Sequence, residues 1–431
     1  MLFTLEVLEA LEGDCLLLHW GSVTKPQLAI IDGGPGNNYE NSLRPRLEQI
    51  SQRRRLKPLP VDLTMVSHVD NDHIVGIKKL FAEMVDDQQN QNPETDRLVR
   101  VDRLWHNTFD DIIGNKLNAH FQQFSASFMA DTSGKLPDKS VDAIKNAFVG
   151  QGKKADDAAH YAEDVTKVLA GHPEGRGLRV AHKALFDAGR IRGLNSPFKK
   201  TLITAELTPK PIDLAGLKIR IVGPMQPEID ALQADFDTFV KNKNLATGEA
   251  ALAAYADESV PNLSSIVCLV TMGTSAAKKT MLLTGDARGD KVIAGLRQAK
   301  LLGPALDAKL HVNVLKLPHH GSDRNADPDF FKTLSADTYI LSANGKHGNP
   351  DREAVEWLIA SRGKTDSYTL VFTYKIADLD TRRKAESRKP WDAAKHSLTA
   401  LLSDYNAKGY KFKVTESAPA LIELGSEKLA W

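Results

Sequence analysis

The chain has 431 residues, 42% of them hydrophobic, which is enough apolar material for a substantial core; length alone allows about one to three domains. Its 56 Lys and Arg balance 55 Asp and Glu, so no global basic field points to nucleic acid or an anionic membrane, and any polyanion site must be local. No stretch reaches membrane-spanning length, Met1 to Leu8 is too short and too acidic for a secretory signal, and Cys15 and Cys268 sit in apolar runs as buried thiols, so a cytoplasmic globular protein without a disulfide framework is expected.

Strand character runs through Phe3 to Val7, Cys15 to Trp20 and Leu28 to Ile31, and a helix is expected over Ser42 to Gln52. Arg53-Arg54-Arg55 with Lys57 reads as the solvated basic end of that helix, complementing its dipole, with phosphate contact as the alternative. Leu63 to Val66 is a short buried strand, and from Ile74 the apolar residues Ile77, Leu80, Phe81 and Met84 recur at helical spacing. The turn between them is Ser67-His68-Val69-Asp70-Asn71-Asp72-His73, with four metal-binding side chains in six positions. Carboxylates and imidazoles packed so densely repel one another or strand polar atoms unless cations balance them. If the segment is extended, positions 68, 70 and 72 share a side and His73 swings out differently, so one turn can feed two adjacent metals.

Asp86 to Asp96 reads as a polar loop and Leu98 to Trp105 as a strand ending near His106, a weaker rim candidate for substrate contact that reads first as a buried core histidine. Residues 108–195 change composition toward Ala, Lys and Asp with Gly and Pro breaks, and are expected to form a helical insertion. Strands are expected at Thr201 to Leu207 and Leu217 to Val222, a helix at Pro227 to Lys243, and a hairpin at Ser265 to Met272 and Thr280 to Thr284. Further strands follow at Val312 to Leu317 and Tyr368 to Tyr374, with helices at Asp351 to Ala360 and Ala393 to Tyr405. The hairpin ends in Thr284-Gly285-Asp286, where the carboxylate is either a ligand at a strand mouth or an ordinary turn residue. The next strand ends in Leu317-Pro318-His319-His320-Gly321-Ser322, two imidazoles before a turn whose amides and hydroxyl could receive an anionic oxygen.

Four segments, Ala29-Ile30-Ile31-Asp32-Gly33-Gly34, the 67–73 cluster, Leu283-Thr284-Gly285-Asp286 and Lys316-Leu317-Pro318-His319-His320-Gly321-Ser322, together resemble the metallo-β-lactamase fold superfamily. Within it they are most similar to the ComEC-like hydrolases of the DNA-uptake competence channel. The resemblance spans residues 1 to about 105 and 200 to about 360, and Ser342 to Pro350 looks like that subgroup's following motif. It implies an α/β fold, an αββα sandwich built from residues 1–107 and 196–431, with 108–195 inserted. It also implies a dinuclear site in which His68 and Asp70 bind one metal, Asp72 and His73 the other, Asp286 bridges, and His320, or its neighbour His319, is the last ligand. Asp32 is then an outer hydrogen-bond acceptor, Asn262 either binds substrate or takes a weak ligand position, and the Ser322 hydroxyl is the substrate-side group of its turn. Many members carry His where Asp70 stands and another where Asn262-Leu263-Ser264-Ser265 stands; fewer imidazoles shift preference from zinc toward manganese or magnesium.

Such a pair of divalent ions would activate water as the nucleophile, and His347 could contact a scissile phosphate or protonate the leaving oxygen. Hard cations match phosphate oxygens, so the expected reaction is phosphodiester hydrolysis, with nucleic acid or a nucleotide diester as substrate and no membrane partner. The alternatives are hydrolysis of a small diester or ester, such as a cyclic nucleotide or phospholipid, and a component of a larger assembly that recruits a protein partner through the insertion.

Overall fold

The computed structural model describes residues 1–107, 149, 175–200, 202–230, 265–274, 277–387 and 390–429. In β1 (Leu2–Val7), β2 (Leu16–Ser22) and β3 (Lys25–Ile31), Phe3, Leu5, Leu16, Leu18, Trp20, Ala29 and Ile31 join one core, while Leu17, Leu28 and Ile30 join another on the opposite face. A sheet apolar on both faces requires a layer on each side. The β1–β3 meander is followed by α1 (Arg44–Arg54), β4 (Leu59–Val61), β5 (Leu63–Val66), α2 (Asn71–Gln89), β6 (Val99–Val101) and β7 (Leu104–His106). With β16 (Ala420–Glu423) the sheet order is β16-β1-β2-β3-β5-β7, and β5 and β7 lie parallel to β3.

The second sheet holds β8 (Ile212–Leu214), β9 (Leu217–Gly223), β10 (Val267–Met272), β11 (Lys279–Leu283), β12 (Leu310–Lys316), β13 (Leu334–Leu341), β14 (Ser367–Phe372) and β15 (Lys411–Glu416), in the order β15-β14-β13-β12-β11-β10-β9-β8. Its strands are antiparallel from β8 to β11 and parallel from β11 to β15. Parallel neighbours need crossovers, and helices supply them.

Between the sheets, Leu18, Trp20, Met65 and Trp105 pack on Ile219, Val270, Met281, Val314 and Ile340. Outside the first sheet, Leu47 and Ile50 of α1, Ile74, Ile77 and Phe81 of α2, and Leu178 and Leu185 of a helix over 175–187 (α3) form a second core. Outside the second sheet lie α4 (Gly289–Gln298), α5 (Pro328–Thr333), α6 (Arg352–Arg362), α7 (Ile376–Glu386) and α8 (Leu398–Ala407). Their Leu296, Phe330, Leu358, Leu379 and Leu401 build the third core. The layers therefore run helix, sheet, sheet, helix: the αββα sandwich that the resemblance implies. Among the described residues no helix is long and apolar enough to cross a membrane. Cys15 and Cys268 are buried free thiols in different cores.

Several local expectations are corrected. Asp86 to Gln89 is not loop but the last turn of α2, whose polar side chains face outward. Leu98 to Trp105 is two short strands in different sheets, β6 paired with β4 and β7 with β5. The strand expected at 201–207 is a single turn at Ala205–Leu207, with Thr201 outside the described residues. The expected helix at 393–405 breaks at Ser397, whose hydroxyl caps α8 by accepting from the Ala400 amide. Arg54 turns inward, donating to the Pro26 carbonyl at 3.2 Å and meeting His19 Nδ1 at 2.9 Å, while Arg53 and Arg55 stay exposed. Of the expected insertion 108–195, the described part includes α3 and a turn that brings Asn195 to His106; Asn262, and the expected helix at 227–243 beyond residue 230, lie outside the described residues.

Helix α2 docks on the loop after β3 through a glycine contact. The Gly33 amide donates to the His73 carbonyl at 2.7 Å and the Gly76 amide to the Gly34 carbonyl at 3.1 Å. A Cβ on Gly33 would sit 2.5 Å from the Ile77 nitrogen, and one on Gly76 would collide with the Gly33 carbonyl oxygen. Gly76→Ala is expected to cost about 1–3 kcal/mol in overpacking. It should also displace His73, so urea midpoint and metal uptake should fall together; a variant of unchanged stability would refute this contact's role.

Candidate metal centre

The centre lies where the carboxyl ends of β3, β5, β11, β12 and β13 meet, the usual place for a site in an α/β sheet. Residue Asp70 occupies the N-cap of α2, yet its carboxylate makes no capping hydrogen bond; its Oδ2 lies 3.6 Å from His68 Nε2 instead. The extended run ends there, so Asp72 and His73 project from the first helical turn rather than continuing the strand alternation. His73 Nε2 stands 3.9 Å from Asp72 Oδ2 and 3.3 Å from Asp286 Oδ1.

Residue Asp286 follows Gly285, which adopts φ +52° and turns the chain after β11. Its carboxylate faces four imidazoles: besides His73, the Nε2 atoms of His68, His319 and His320 lie 3.7, 3.6 and 3.4 Å from Oδ2. The structure thus brings both histidines of the Pro-His-His loop to Asp286. They differ in neighbours: His320 Nε2 also meets Asp72 Oδ2 at 3.4 Å and is buried, whereas His319 is 13% exposed at the rim.

Each imidazole is gripped on its far side. His73 Nδ1 donates to Asp32 Oδ2 at 2.9 Å, His320 Nδ1 to the Ser342 carbonyl at 2.9 Å, and His319 Nδ1 to Asn325 Oδ1 at 2.9 Å. A proton held on Nδ1 leaves the Nε2 lone pair pointing inward. Asp32, at φ +58°, also accepts from the amide and the hydroxyl of Ser67, both at 2.7 Å. Asn325 ties the second loop down by donating to the Asp286 carbonyl at 3.0 Å. Ser322 shapes the same loop, its amide donating to the His319 carbonyl at 2.9 Å.

Sequence reasoning missed Asn325 and, more importantly, Asp14. Carried by the loop between β1 and β2, Asp14 is buried, with Oδ1 3.5 Å from His320 Nδ1 and Oδ2 3.8 Å from His73 Nδ1. Its Oδ2 forms an ion pair with Lys316, itself buried, whose ammonium donates to the Gly285 carbonyl at 3.1 Å and lies 3.8 Å from Asp286 Oδ1. A buried lysine at the end of β12, next to Pro-His-His, was the available signal, since its ammonium demands a carboxylate.

Two other expected residues stand outside the cluster around Asp286. His347, at φ +58°, sits partly exposed on the loop after β13, its amide donating to Glu386 Oε2 at 2.9 Å. That loop abuts the Asp14 loop through a Lys346–Glu12 ion pair and a 2.8 Å bond from Ser342 Oγ to the Gly13 carbonyl. His106 is buried, its backbone paired with the Asn195 side chain at 2.8 and 3.0 Å, and it shares the Leu104 face of β7, near Arg179 and His182. Asn262 lies outside the described residues.

The donor set fits divalent cations. His68 Nε2, Asp70 Oδ1, His73 Nε2, Asp286 Oδ1 and His320 Nε2 are buried without a hydrogen-bond partner among the described residues. Separations of 3.3–3.9 Å between these nitrogens and the facing carboxylates exceed an N–H···O bond of about 2.7–3.2 Å. They lie close to the about 3.0–3.6 Å expected of two atoms ligating one ion at about 2.0–2.2 Å. Electrostatics agree. Although burial opposes the charged ring, Asp286, Asp32 and Asp72 hold His73 well above the usual histidine range, and Asp286 with Asp14 pushes His320 up to about 10. The carboxyl of Asp286, despite burial, is held well below its ordinary value by His320, His73, His319 and His68. Two groups of buried side chains, Asp14, His73, Asp286 and His320, and His68, Asp72 and His73, have possible ligand atoms within 4.8 Å of one another.

No family model matches this chain, and no curated protein matches it. Among solved structures, the chain is similar to the metallo-β-lactamase fold protein YhfI from Bacillus subtilis at 9% identity, over 98% of this chain and 100% of that one, with a TM-score of 0.35. At that score the likeness assigns no residue roles, which rest here on this chain's own geometry.

Two predictions follow from the geometry. Replacing Asp32 by Ala frees the His73 ring and is expected to weaken divalent-ion binding about 10–100-fold; competition with a chelating indicator reads this, and wild-type affinity would sink the assignment. His106, pushed down to about 3 by burial and by nearby Arg179 and His182, is neutral in the fold but gains a proton near 6.5 when unfolded. Its share of stability is complete above pH 6.5 and drains away as pH falls from 6.5 toward 3. His106→Leu should flatten the urea midpoint against pH in that window; an unchanged acid slope would refute it.

Proposed function

We propose that this protein is a metal-dependent hydrolase of phosphodiesters belonging to the metallo-β-lactamase fold superfamily, on the side of its ComEC-like members. One observation carries the reading: buried Nε2 atoms of His68, His73 and His320, without hydrogen-bond partners among the described residues, converge on Asp286 from two segments, the 67–73 turn and the Pro-His-His loop. His68, Asp70, His319 and Asp286 would hold one cation; Asp72, His73, His320 and Asp286 would hold the other. When bound, divalent cations acidify water and neutralise charge growing on the substrate's oxygens. Manganese or zinc, with magnesium possible, suits this mixed set of carboxylates and imidazoles.

The chain's own residues supply orientation. Asp32, the Ser342 carbonyl and Asn325 each keep a proton on the Nδ1 atom of one histidine, so three Nε2 lone pairs converge without rearrangement. Burial of the cluster keeps bulk water from screening it. Partly exposed on the rim loop, His347 is our choice for the group that gives a proton to the departing oxygen. Carboxylate-rich coordination favours phosphoester over thioester or β-lactam substrates, because hard cations pair with phosphate oxygens.

The test is metal analysis of the purified protein, then assays after chelation and reconstitution on bis-nitrophenyl phosphate, linear DNA and RNA. Chelation should abolish turnover, manganese or zinc should restore it, and Asp72→Ala or Asp286→Ala should lower kcat at least about a hundredfold. Turnover that survives either substitution, or a protein that takes up no ions, would reject the reading. His347→Gln should reduce kcat far more for a poor leaving group than for nitrophenolate, since only the former needs a proton; equal losses would remove that role.

A further inference from the structure

Deeper than the ligands lies a pair of opposite charges that the reading above leaves without a task. Lys316 and Asp14 are each 1% exposed, and they form an ion pair behind the cluster. Removing an ammonium from water is costly, so a buried lysine persists where it has definite partners. Its partners here are Asp14, the Gly285 carbonyl and, at 3.8 Å, Asp286 Oδ1. Carboxylate oxygens of Asp14 also lie within 4.8 Å of possible ligand atoms of His73, Asp286 and His320, which makes Asp14 a metal ligand by distance alone. Its actual contacts say otherwise: it meets Nδ1 of both histidines, on the side away from the Nε2 atoms that face Asp286 and Asp72.

We propose that Lys316 is a positioning residue that locks Asp14 behind His73 and His320, keeping a fourth carboxylate, beyond Asp70, Asp72 and Asp286, out of the ion shell. This rests on the metal-hydrolase reading of the same site. Direct coordination by Asp14 would add a negative ligand, bind the ions more tightly and blunt their power to polarise substrate. The ammonium prevents this by occupying Asp14 Oδ2 and by cancelling its charge.

The proposal is tested by the direction of an effect. Lys316→Met in the full-length protein should raise affinity for manganese or zinc by at least about tenfold, because a positive charge beside the ions is lost and Asp14 becomes free to ligate. The same variant reconstituted with cobalt should show weaker visible absorption, as coordination number rises, while kcat falls. The double variant Asp14→Asn/Lys316→Met should return ion affinity to within about threefold of wild type and restore the cobalt spectrum, because the escaping carboxylate is gone. Lys316→Arg, which keeps the charge, should leave both near wild type.

Ion affinity that falls or stays unchanged in Lys316→Met, or a cobalt spectrum unmoved by it, would overturn the proposal. Should Lys316→Met fail to fold, the double variant decides: folded protein binding two ions with near-wild-type affinity supports the lock, and folded protein that has lost either ion overturns it. Wild-type protein that binds no ions would instead reject the underlying hydrolase reading, so the two failures are distinguishable.

Discussion

Everything in the centre depends on the unmet charge of one carboxylate. Asp286 is 1% exposed, yet nearly everything around its oxygens is an imidazole nitrogen at 3.3–3.7 Å. Neutral imidazoles whose lone pairs point at a carboxylate would be repelled by it, so the arrangement is stable only with positive charge in the middle. The same negative surroundings draw protons toward His73 and His320, the direction in which both rings are shifted despite burial. Cations and protons compete for the same atoms.

The αββα framework meets this demand through strand ends. Side chains that must meet come from β5, β11 and β12, and their supports come from β3, β13 and the β1–β2 loop, so neither sheet alone contains the site. The inter-sheet core of Trp20, Met65, Trp105, Met281 and Val314 therefore has a second consequence beyond stability. It sets the distance between the 67–73 turn and the loops of the second sheet. A hydrogen bond from the Ile266 amide to the Ser67 carbonyl at 2.8 Å stitches the two sheets together at the edge of the cluster.

How far the sequence reveals this depends on how local the signal is. The His68 to His73 cluster is legible because its residues are contiguous, and the αββα architecture through the resemblance that four short motifs carry. Asp14 was not legible. It is one acidic residue in a Gly-Asp turn, and turns are rich in aspartate for reasons of backbone hydrogen bonding alone. Only the fold carries it to His320. The start of α2 was misplaced for a related reason: Asp70 has the identity of an N-cap, but its carboxylate serves the cluster, so the helix begins without the usual cap and its first turn contains two proposed ligands. The 98–105 run fails differently, because two short apolar stretches separated only by Asp102-Arg103 do not say that they pair with strands of different sheets.

Backbone strain gathers at the same place. Asp32, His319 and His320 are non-glycine residues with φ of +58°, +46° and +58°, a region that costs an L-residue roughly 1–2 kcal/mol. Each is held there by bonds that would be lost in a relaxed conformation: Ser67 to Asp32, Asn325 to His319, and the Ser342 carbonyl to His320. Those bonds point the side chains inward. The strain is thus evidence that the chain itself shapes the pocket, because the outer partners hold these residues in a costly region of backbone space. A pocket shaped in this way in turn gives the outer carboxylates and the buried lysine their importance: they decide which oxygens face inward, and so how many negative charges a cation meets.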